Sequence, residues 1–177
     1  MEHLEVDRNI RLEAIKMSMA KEIFDTIERD RNYLQPWLPF VELTKKLADT
    51  EKFIHSILNQ PQNKKDEVYA IWFKNEFAGL IGFKETDWLN RKTELGYWLS
   101  EKMQGKRIAT KCVEKLVRYS FQKLKLNRVQ IKTAVGNSKS AAIPKRLGFM
   151  FEGVERAGEK NNHKYLDLEV YSFLKSD

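Results

Sequence analysis

Gln104-Gly105-Lys106-Arg107-Ile108-Ala109-Thr110 decides how the rest of the chain is read. It follows Thr93 to Ser100, a stretch that reads as a strand, and it opens the clearest helix in the sequence. In that helix Ala109, Cys112, Val113, Leu116, Val117, Ser120, Phe121 and Leu124 form one stripe, while Lys106, Lys111, Lys115 and Arg118 face away. A stripe of this kind packs on a sheet. The seven residues are therefore a strand-to-helix turn whose main-chain N–H groups begin a helix. The helix dipole favours anions at such an end by about 0.3 to 1 kcal/mol per contact. Small residues and a basic pair at a helix start are equally ordinary turn chemistry, so the segment alone is a weak signal.

Upstream, Val68 to Lys74 and Phe77 to Glu85, separated by Asn75-Glu76, read as a β-hairpin, and Thr93 to Ser100 extends it into an antiparallel meander. Ile10 to Ile15 reads as a strand, and Ser18 is placed to cap a helix running to about Asp30, with Ile23, Phe24 and Ile27 on its apolar side. From Tyr33 to Phe40, Pro36 and Pro39 deny helix continuation while the aromatics need burial, which makes an ordered apolar connection. Thr44 to Asn59 repeats Leu47, Phe53, Ile54, Ile57 and Leu58 at helical spacing, and Gln60 to Asp66 is a polar surface loop. Downstream, Arg128 to Val135 is a strand, Asn137 caps a short helix ending near Leu147-Gly148, and Gly148 suits the position after it. Phe149 to Ala157 and Tyr165 to Leu174 are the last strands, flanking a 158–164 connection in which Asn161-Asn162 suits a turn. The order β, α, α, three strands, α, β, α, two strands is a mixed α/β single domain without internal repeat or linker.

Composition agrees. A chain of 177 residues with 42% hydrophobic and 32% charged residues can bury a core and is neither collagen-like nor disordered. Its longest run without a polar residue, Phe77 to Phe83, is far short of the roughly 18 a membrane span needs. Met1-Glu2-His3 leads into a charged segment with no visible secretory pattern, and one cysteine, Cys112, forbids an intrachain disulfide; both fit a cytoplasmic protein. Charge is polarised: residues 101–149 hold 13 Lys and Arg against Glu101 and Glu114, a net of +11, which leaves −4 for the remainder of a chain whose total is +7. Such a basic half suits a polyanion, whether a nucleotide cofactor or nucleic acid, and a solvated face is the plain alternative.

The segment from Asn90 to Gly153 resembles the core of the GCN5-related N-acetyltransferases, the GNAT superfamily, and in particular its Rim-type ribosomal-protein N-terminal (serine/alanine) acetyltransferases. The resemblance rests on Glu94-Leu95-Gly96-Tyr97-Trp98-Leu99, the Gln104 to Thr110 turn, Asn127-Arg128-Val129, Asn137 with Ser140, and Leu147-Gly148-Phe149 with Glu152-Gly153; Leu34 and Trp37-Leu38 extend it over nearly the whole chain. It implies one acetyltransferase domain over residues 1–177, with a mixed, mostly antiparallel sheet flanked by helices. It also implies acetyl-CoA as cosubstrate: Gln104, Gly105, Lys106, Arg107, Ile108, Ala109 and Thr110 around the pyrophosphate, Leu99 beside the pantetheine arm, and Asn137 on the cofactor. In the family's pattern a glycine stands where this chain has Arg107. Its Cβ crowds the turn or forces another φ, while its guanidinium can bind phosphate directly.

By motif position the resemblance makes Ser140 the acid and Glu159 the base. Read as residues alone, Ser140 is equally a first-turn helix residue, and Glu159 lies near a turn where acidic groups are commonly solvated. Glu94, acting through water, is the runner-up base, though a strand Glu more often pairs across to a Lys or Arg; Tyr171 could serve as an acid but reads more readily as core. Cys112 reads as a packed thiol. His3, His55 and His163 have no partners at ligand spacing, so no metal is expected. Trp37 and Leu38 read as core residues or as one wall of an acceptor groove, with Asp87 to Arg91 as its opposite lip.

The leading expectation is direct transfer of acetyl from acetyl-CoA to a primary amine, chiefly the N-terminus of a protein such as a ribosomal protein. An α-amine has a pKa near 7.8 against about 10.4 for lysine, so it needs only modest help to lose its proton. Acetylation of a polyamine, amino sugar or antibiotic, a catalytically inert CoA-binding module, and RNA or ribosome-surface binding through residues 101–149 are the alternatives, in that order. No membrane partner is expected, nucleic acid enters only through ribosome proximity, and a homodimer is left open.

Overall fold

The computed structural model describes residues 3–61 and 66–177; most of the loop expected at Gln60 to Asp66, and Met1-Glu2, lie outside them. Eight strands form one sheet in the order β1-β2-β3-β4-β5-β6-β8-β7. These are β1 (His3–Asp7), β2 (Ile10–Ala14), β3 (Val68–Phe73), β4 (Glu76–Asp87), β5 (Lys92–Leu99), β6 (Arg128–Ala134), β7 (Met150–Asn161) and β8 (Lys164–Leu174). The helices are α1 (Ala20–Arg29), α2 (Arg31–Leu34), α3 (Phe40–Leu43), α4 (Leu47–Leu58), α5 (Ile108–Gln122) and α6 (Ser138–Arg146).

The expected meander β3-β4-β5 is present, but its first turn is Lys74-Asn75, one residue earlier than expected. Both residues have positive φ, 50° and 65°, the geometry of a tight two-residue hairpin, and Glu76 already belongs to β4. Four other expectations need correction. β1 has no counterpart among the expected strands, because it is short and charged and only Leu4 and the partly buried Val6 pack on the core; Asp7 Oδ1 then accepts from the Asn9 and Ile10 amides to close the turn into β2. Ser18 caps nothing: it lies in a 3₁₀ turn, Met17–Met19, and α1 starts at Ala20 without a side-chain cap. The Pro-containing connection carries two helical turns, α2 and α3, with Pro39 just ahead of α3, where its missing N–H costs nothing. The Arg31 guanidinium ties them by donating to the Val41 and Thr44 carbonyls.

The fourth correction concerns the end of the chain. β7 runs to Asn161, not Ala157, and turns back at Asn162-His163. The strand's register against β8 slips between Glu155 and Glu159, and Ala157, at φ 50°, donates its amide to Asp167 at 2.7 Å. A bulge of this kind bends a strand and re-aims the side chains beyond it. Glu159 is therefore a strand residue, redirected by a bulge, and not part of a solvated turn.

Each face of the sheet has its own core. α5 lays Ile108, Cys112, Leu116 and their neighbours on Leu12, Ile71, Ile81, Leu95, Val129 and Ile131, and burial pushes the Cys112 thiol up to about 12, as befits a packed, inert thiol. On the other face α1 and α4 bring Ile23, Ile27 and Ile54 onto Ala70, Leu80 and Trp98. The excess positive charge of residues 101–149 is partly answered by the acidic remainder: Lys102 pairs with Glu76, Lys111 with Asp7, Arg128 with Glu152 and Lys132 with Glu155.

The feature that positions the site is the one parallel pair among the described residues. β5 and β6 are joined only at Lys92–Glu94 against Arg128–Gln130. Beyond Glu94 the two strands have no pairing with each other, so Leu95–Leu99 and Ile131–Ala134 part and leave a wedge in the middle of the sheet.

Candidate active site

Two cavities meet at this wedge. The first is a groove walled by Leu99, Gln104 and Ala109 on one side, by Asn137, Lys139, Ser140 and Ile143 on the other, and by Tyr33, Leu34 and Trp37 above. The second is a partly open cavity of about 450 Å³ bordered by α1, α3, α4, β4, β5 and Glu159. Leu38, Tyr97 and Trp98 line both, so the two spaces touch there.

The groove is prepared for an anion by main chain. α5 begins at Ile108 with no side-chain cap, so the first amides of the helix are not taken up by a capping side chain. Gly105 has φ 75°, and nothing lies within 4 Å of where a Cβ would stand, which leaves the turn open to a ligand. Arg107 resolves the departure noted in the sequence: it adopts the left-handed conformation, φ 58°, ψ 17°, that the family's glycine would supply at this place. The other expected residues divide. Gln104 donates from Nε2 to the Leu99 carbonyl at 3.3 Å, so its side chain braces the end of β5. Lys106 folds back onto the Lys102 carbonyl and over the Phe73 ring, and Thr110 Oγ1 accepts from Arg146 at 2.9 Å. Of the set, Leu99, Gln104, Ala109 and Asn137 line the groove, joined by Lys139, which sequence reasoning missed.

Asn137 caps α6 as expected, its Oδ1 accepting from the Ser140 amide at 3.2 Å. Within α6, Pro144 has no N–H to offer the carbonyl four residues back, which is that of Ser140. Tyr97 takes it instead: its hydroxyl donates to the Ser140 carbonyl at 3.1 Å, and Ser140 Oγ donates to the Tyr97 hydroxyl at 3.4 Å. Burial pushes the Tyr97 phenol up to about 12, so it stays protonated. A strand of one wall and a helix of the other are thus fastened across the wedge by two hydroxyls.

The second cavity owes its shape to strand alternation. Leu80, Gly82 and Lys84 of β4 stand opposite Trp98, Gly96 and Glu94 of β5. The glycine pair leaves the floor bare between an aromatic end and a charged end; a Cβ on Gly96 would come 3.5 Å from the Lys84 stem. At the charged end Glu94 is buried and fully engaged, with Lys84 Nζ at 2.6 Å and Gln130 Nε2 at 3.3 Å. This is the cross-strand pairing that the plain reading of Glu94 expects. Glu159 differs. It is half-buried, makes no hydrogen bond or ion pair among the described residues, and lines the cavity. Burial, assisted by the nearby Glu94 charge, raises its carboxyl above the ordinary value, against the pull of Lys84 and Lys132.

Tyr171 is core: it is 1% exposed and its hydroxyl donates to Glu169 at 2.6 Å. Leu38 does form a wall between the two cavities and Trp37 lines the groove, but Asp87 to Arg91 border neither. The opposite lip is instead α4 and Glu159, which a distant bulge brings over.

The sheet is thus split at a short parallel pair, with an uncapped helix start on one side and an acid-bearing pocket on the other, and the chain's relatives identify this arrangement as that of an acyltransferase. The chain belongs to the acetyltransferase (GNAT) domain family, which matches residues 9–150. Over its whole length it is 35% identical to the putative ribosomal N-acetyltransferase YdaF of Bacillus subtilis (strain 168), across 174 residues covering 97% of this chain and 94% of that protein. It is 28% identical over 171 residues to the ribosomal-protein-serine acetyltransferase of Escherichia coli (strain K12), covering 97% and 96%. Among solved structures, RimL, a ribosomal L7/L12 alpha-N-protein acetyltransferase in complex with coenzyme A, superposes with a TM-score of 0.92 at 25% identity over 98% of both chains. Among the described residues no helix is long and apolar enough to cross a membrane.

Proposed function

We propose that this protein transfers the acetyl group of acetyl-CoA to the α-amine of a protein N-terminus, a ribosomal protein being the acceptor, by direct attack with both substrates bound. The observation that carries the reading is Glu159: an unpaired carboxylate with a raised pKa, at the wall of an apolar cavity that opens onto the groove at Tyr97 and Trp98. The Escherichia coli relative is a ribosomal-protein-serine acetyltransferase, and the RimL structure holds coenzyme A.

The groove residues fit the cosubstrate. The Gly105 to Thr110 turn offers amides to a pyrophosphate, Arg107 and Lys139 add charge beside it, and the unpaired edge of Leu95–Leu99 offers backbone partners to an extended amide arm. Acetyl-CoA supplies an activated acyl carbon and a thiol leaving group. Glu159 accepts the proton that the attacking nitrogen gives up as the C–N bond forms. Ser140 Oγ, oriented by Tyr97, gives a proton to the sulfur as the C–S bond breaks. A weakly basic carboxylate suffices because an α-amine with pKa near 7.8 is partly neutral at physiological pH.

The test is release of free thiol from acetyl-CoA in the presence of a short peptide with a free N-terminus, the same peptide N-blocked, and spermidine. Turnover of the free peptide alone supports the proposal. Rapid spermidine turnover with inert peptides would overturn it in favour of a small-amine acceptor.

A further inference from the structure

The charged end of the acceptor cavity holds a cation that could silence the base and does not. Lys84 and Glu159 border the same cavity, and the charges of Lys84, Glu94 and Lys132 all act on the Glu159 carboxyl. Yet Lys84 pairs elsewhere. Its stem runs across the bare backbone of Gly96, where a Cβ would stand 3.5 Å from its Cε, and its Nζ ends 2.6 Å from Glu94 Oε1. Glu94 is the fixed partner: it is 6% exposed, and its Oε2 accepts from Gln130 Nε2 at 3.3 Å and faces Lys132 Nζ at 4.0 Å. Lys84 is the movable one, with 53% of its side chain exposed.

The other acids nearby are occupied or solvated. Glu155 holds Lys132 at 2.7 Å, and the Asp66 carboxylate takes the amides of Glu85 and Thr86. Glu85 is exposed to water, where an ion pair gains little. β8 sets Leu166 opposite Glu159, and among the described residues α1, α3 and α4 bring no titratable side chain to the cavity, while Tyr97 stays protonated. Without Glu94 the Lys84 ammonium is therefore left with Glu159, a half-buried acid that has no cation. An ammonium closed onto a carboxylate lowers its pKa by about 1 to 3, which would make it a poorer proton acceptor.

We propose that Glu94 is a positioning residue: by holding Lys84 flat against β5 it keeps Glu159 free of an ion pair and able to take a proton. The inference rests on the reading of Glu159 as the base, and it gives Glu94 a part other than that of a base acting through water. The test is a titration of the Glu159 carboxyl by carbon-13 NMR, its signal being the one lost in Glu159→Gln, through a cycle of Glu94→Gln and Lys84→Met. Lys84→Met should barely move the midpoint while Glu94 is present, and should raise it by about one pH unit or more in the Glu94→Gln background. Gly96→Val puts a side chain in the path of the Lys84 stem and leaves the buried acid alone; it should lower the midpoint, and adding Lys84→Met should reverse that. Turnover of a peptide with a free N-terminus should follow, with kcat about tenfold lower in Glu94→Gln and recovered to within about threefold in Glu94→Gln/Lys84→Met. Equal effects of Lys84→Met with and without Glu94 would overturn the proposal. So would a loss of activity in Glu94→Gln that Lys84→Met fails to recover, which would make Glu94 itself the base or a purely structural residue. Wild-type turnover in Glu159→Gln would instead bring down the reading of Glu159 as the base, with the titration cycle unaffected.

Discussion

The two cavities that touch at Leu38, Tyr97 and Trp98 are made of different material. The groove on the α5 side joins an uncapped helix start and an unpaired strand edge to a mixed lining, in which Gln104, Asn137, Lys139 and Ser140 stand among Tyr33, Leu34, Trp37 and Ile143. The cavity on the α4 side is lined chiefly by Phe, Ile, Leu and Trp, with Asp66, Glu85 and Glu159 at its border. The first is suited to a ligand that never changes and can be held by backbone geometry. The second is suited to a ligand chosen by side-chain shape, and its selectivity is open to substitution residue by residue. Glu159 lines the second cavity alone.

That division can be broken most severely at Glu159. Glu159→Gln should lower kcat about 10²-fold while leaving acetyl-CoA affinity, measured by calorimetric titration, unchanged. The pH profile separates the roles. Because burial raises the Glu159 carboxyl, wild-type activity should fall, as pH drops, through a limb set above the ordinary carboxylate value. Glu159→Gln should lack that limb and keep only the one near 7.8 that belongs to an α-amine. Ser140→Ala should cost about tenfold in kcat with both KM values held, since its amide still caps onto Asn137. Equal losses in acetyl-CoA affinity would show instead that Ser140 belongs to the groove's binding surface.

Smaller effects sharpen the contrast. A left-handed conformation costs a non-glycine residue roughly 1–2 kcal/mol, so Arg107→Gly should raise Tm by about 2–4 °C or more in a chain of this size. If the phosphate is held by main chain, acetyl-CoA affinity changes little; a tenfold or larger loss would mean that the guanidinium does the holding. The smallest effect concerns the strand that carries Glu159. Arg128, with both nitrogens 2.6 Å from Glu152, holds that carboxyl down to about 2, and β7 is tied by it across β8 to β6. A lowered carboxyl stabilises the fold above its ordinary titration range and ceases to do so as pH falls toward 2. The pair is more than a third exposed on the Glu152 side, which keeps the contribution below about 1 kcal/mol. Denaturant midpoints between pH 5 and pH 2 should therefore fall slightly less steeply in Glu152→Gln than in wild type.

The same contrast governs how much of the molecule is legible in its sequence. The helix-start end of the groove is a run of consecutive residues, so the Gln104 to Thr110 turn, the α5 stripe and the Asn137 cap are visible locally, whereas its Tyr33, Leu34 and Trp37 wall is brought in by the fold. The acceptor cavity is built from positions that only register brings together. Gly82 lies against Gly96 and Lys84 against Glu94 through the β4–β5 pairing, and α4 contributes Thr50, Phe53 and Ile57 from far upstream. Glu159 is reached by motif position, but its half-buried state depends on a bulge that the sequence shows only as an extra stretch before Asn161. Lys84 could have been found by writing the expected meander in register. β1 could not, because Leu4 and Val6 alone, in a five-residue charged strand, give too short an alternation to stand out.

Pro144 carries one more consequence. Any other residue at 144 would bring an amide hydrogen to the same carbonyl that the Tyr97 hydroxyl now satisfies, so these two positions are energetically linked despite lying on different elements. Replacing Pro144 by Ala should make the loss of the tyrosine hydroxyl cheaper than it is in the native chain. The double substitution is then milder than the sum of its parts, a non-additivity that places the identity of residue 97 and that of residue 144 under joint selection.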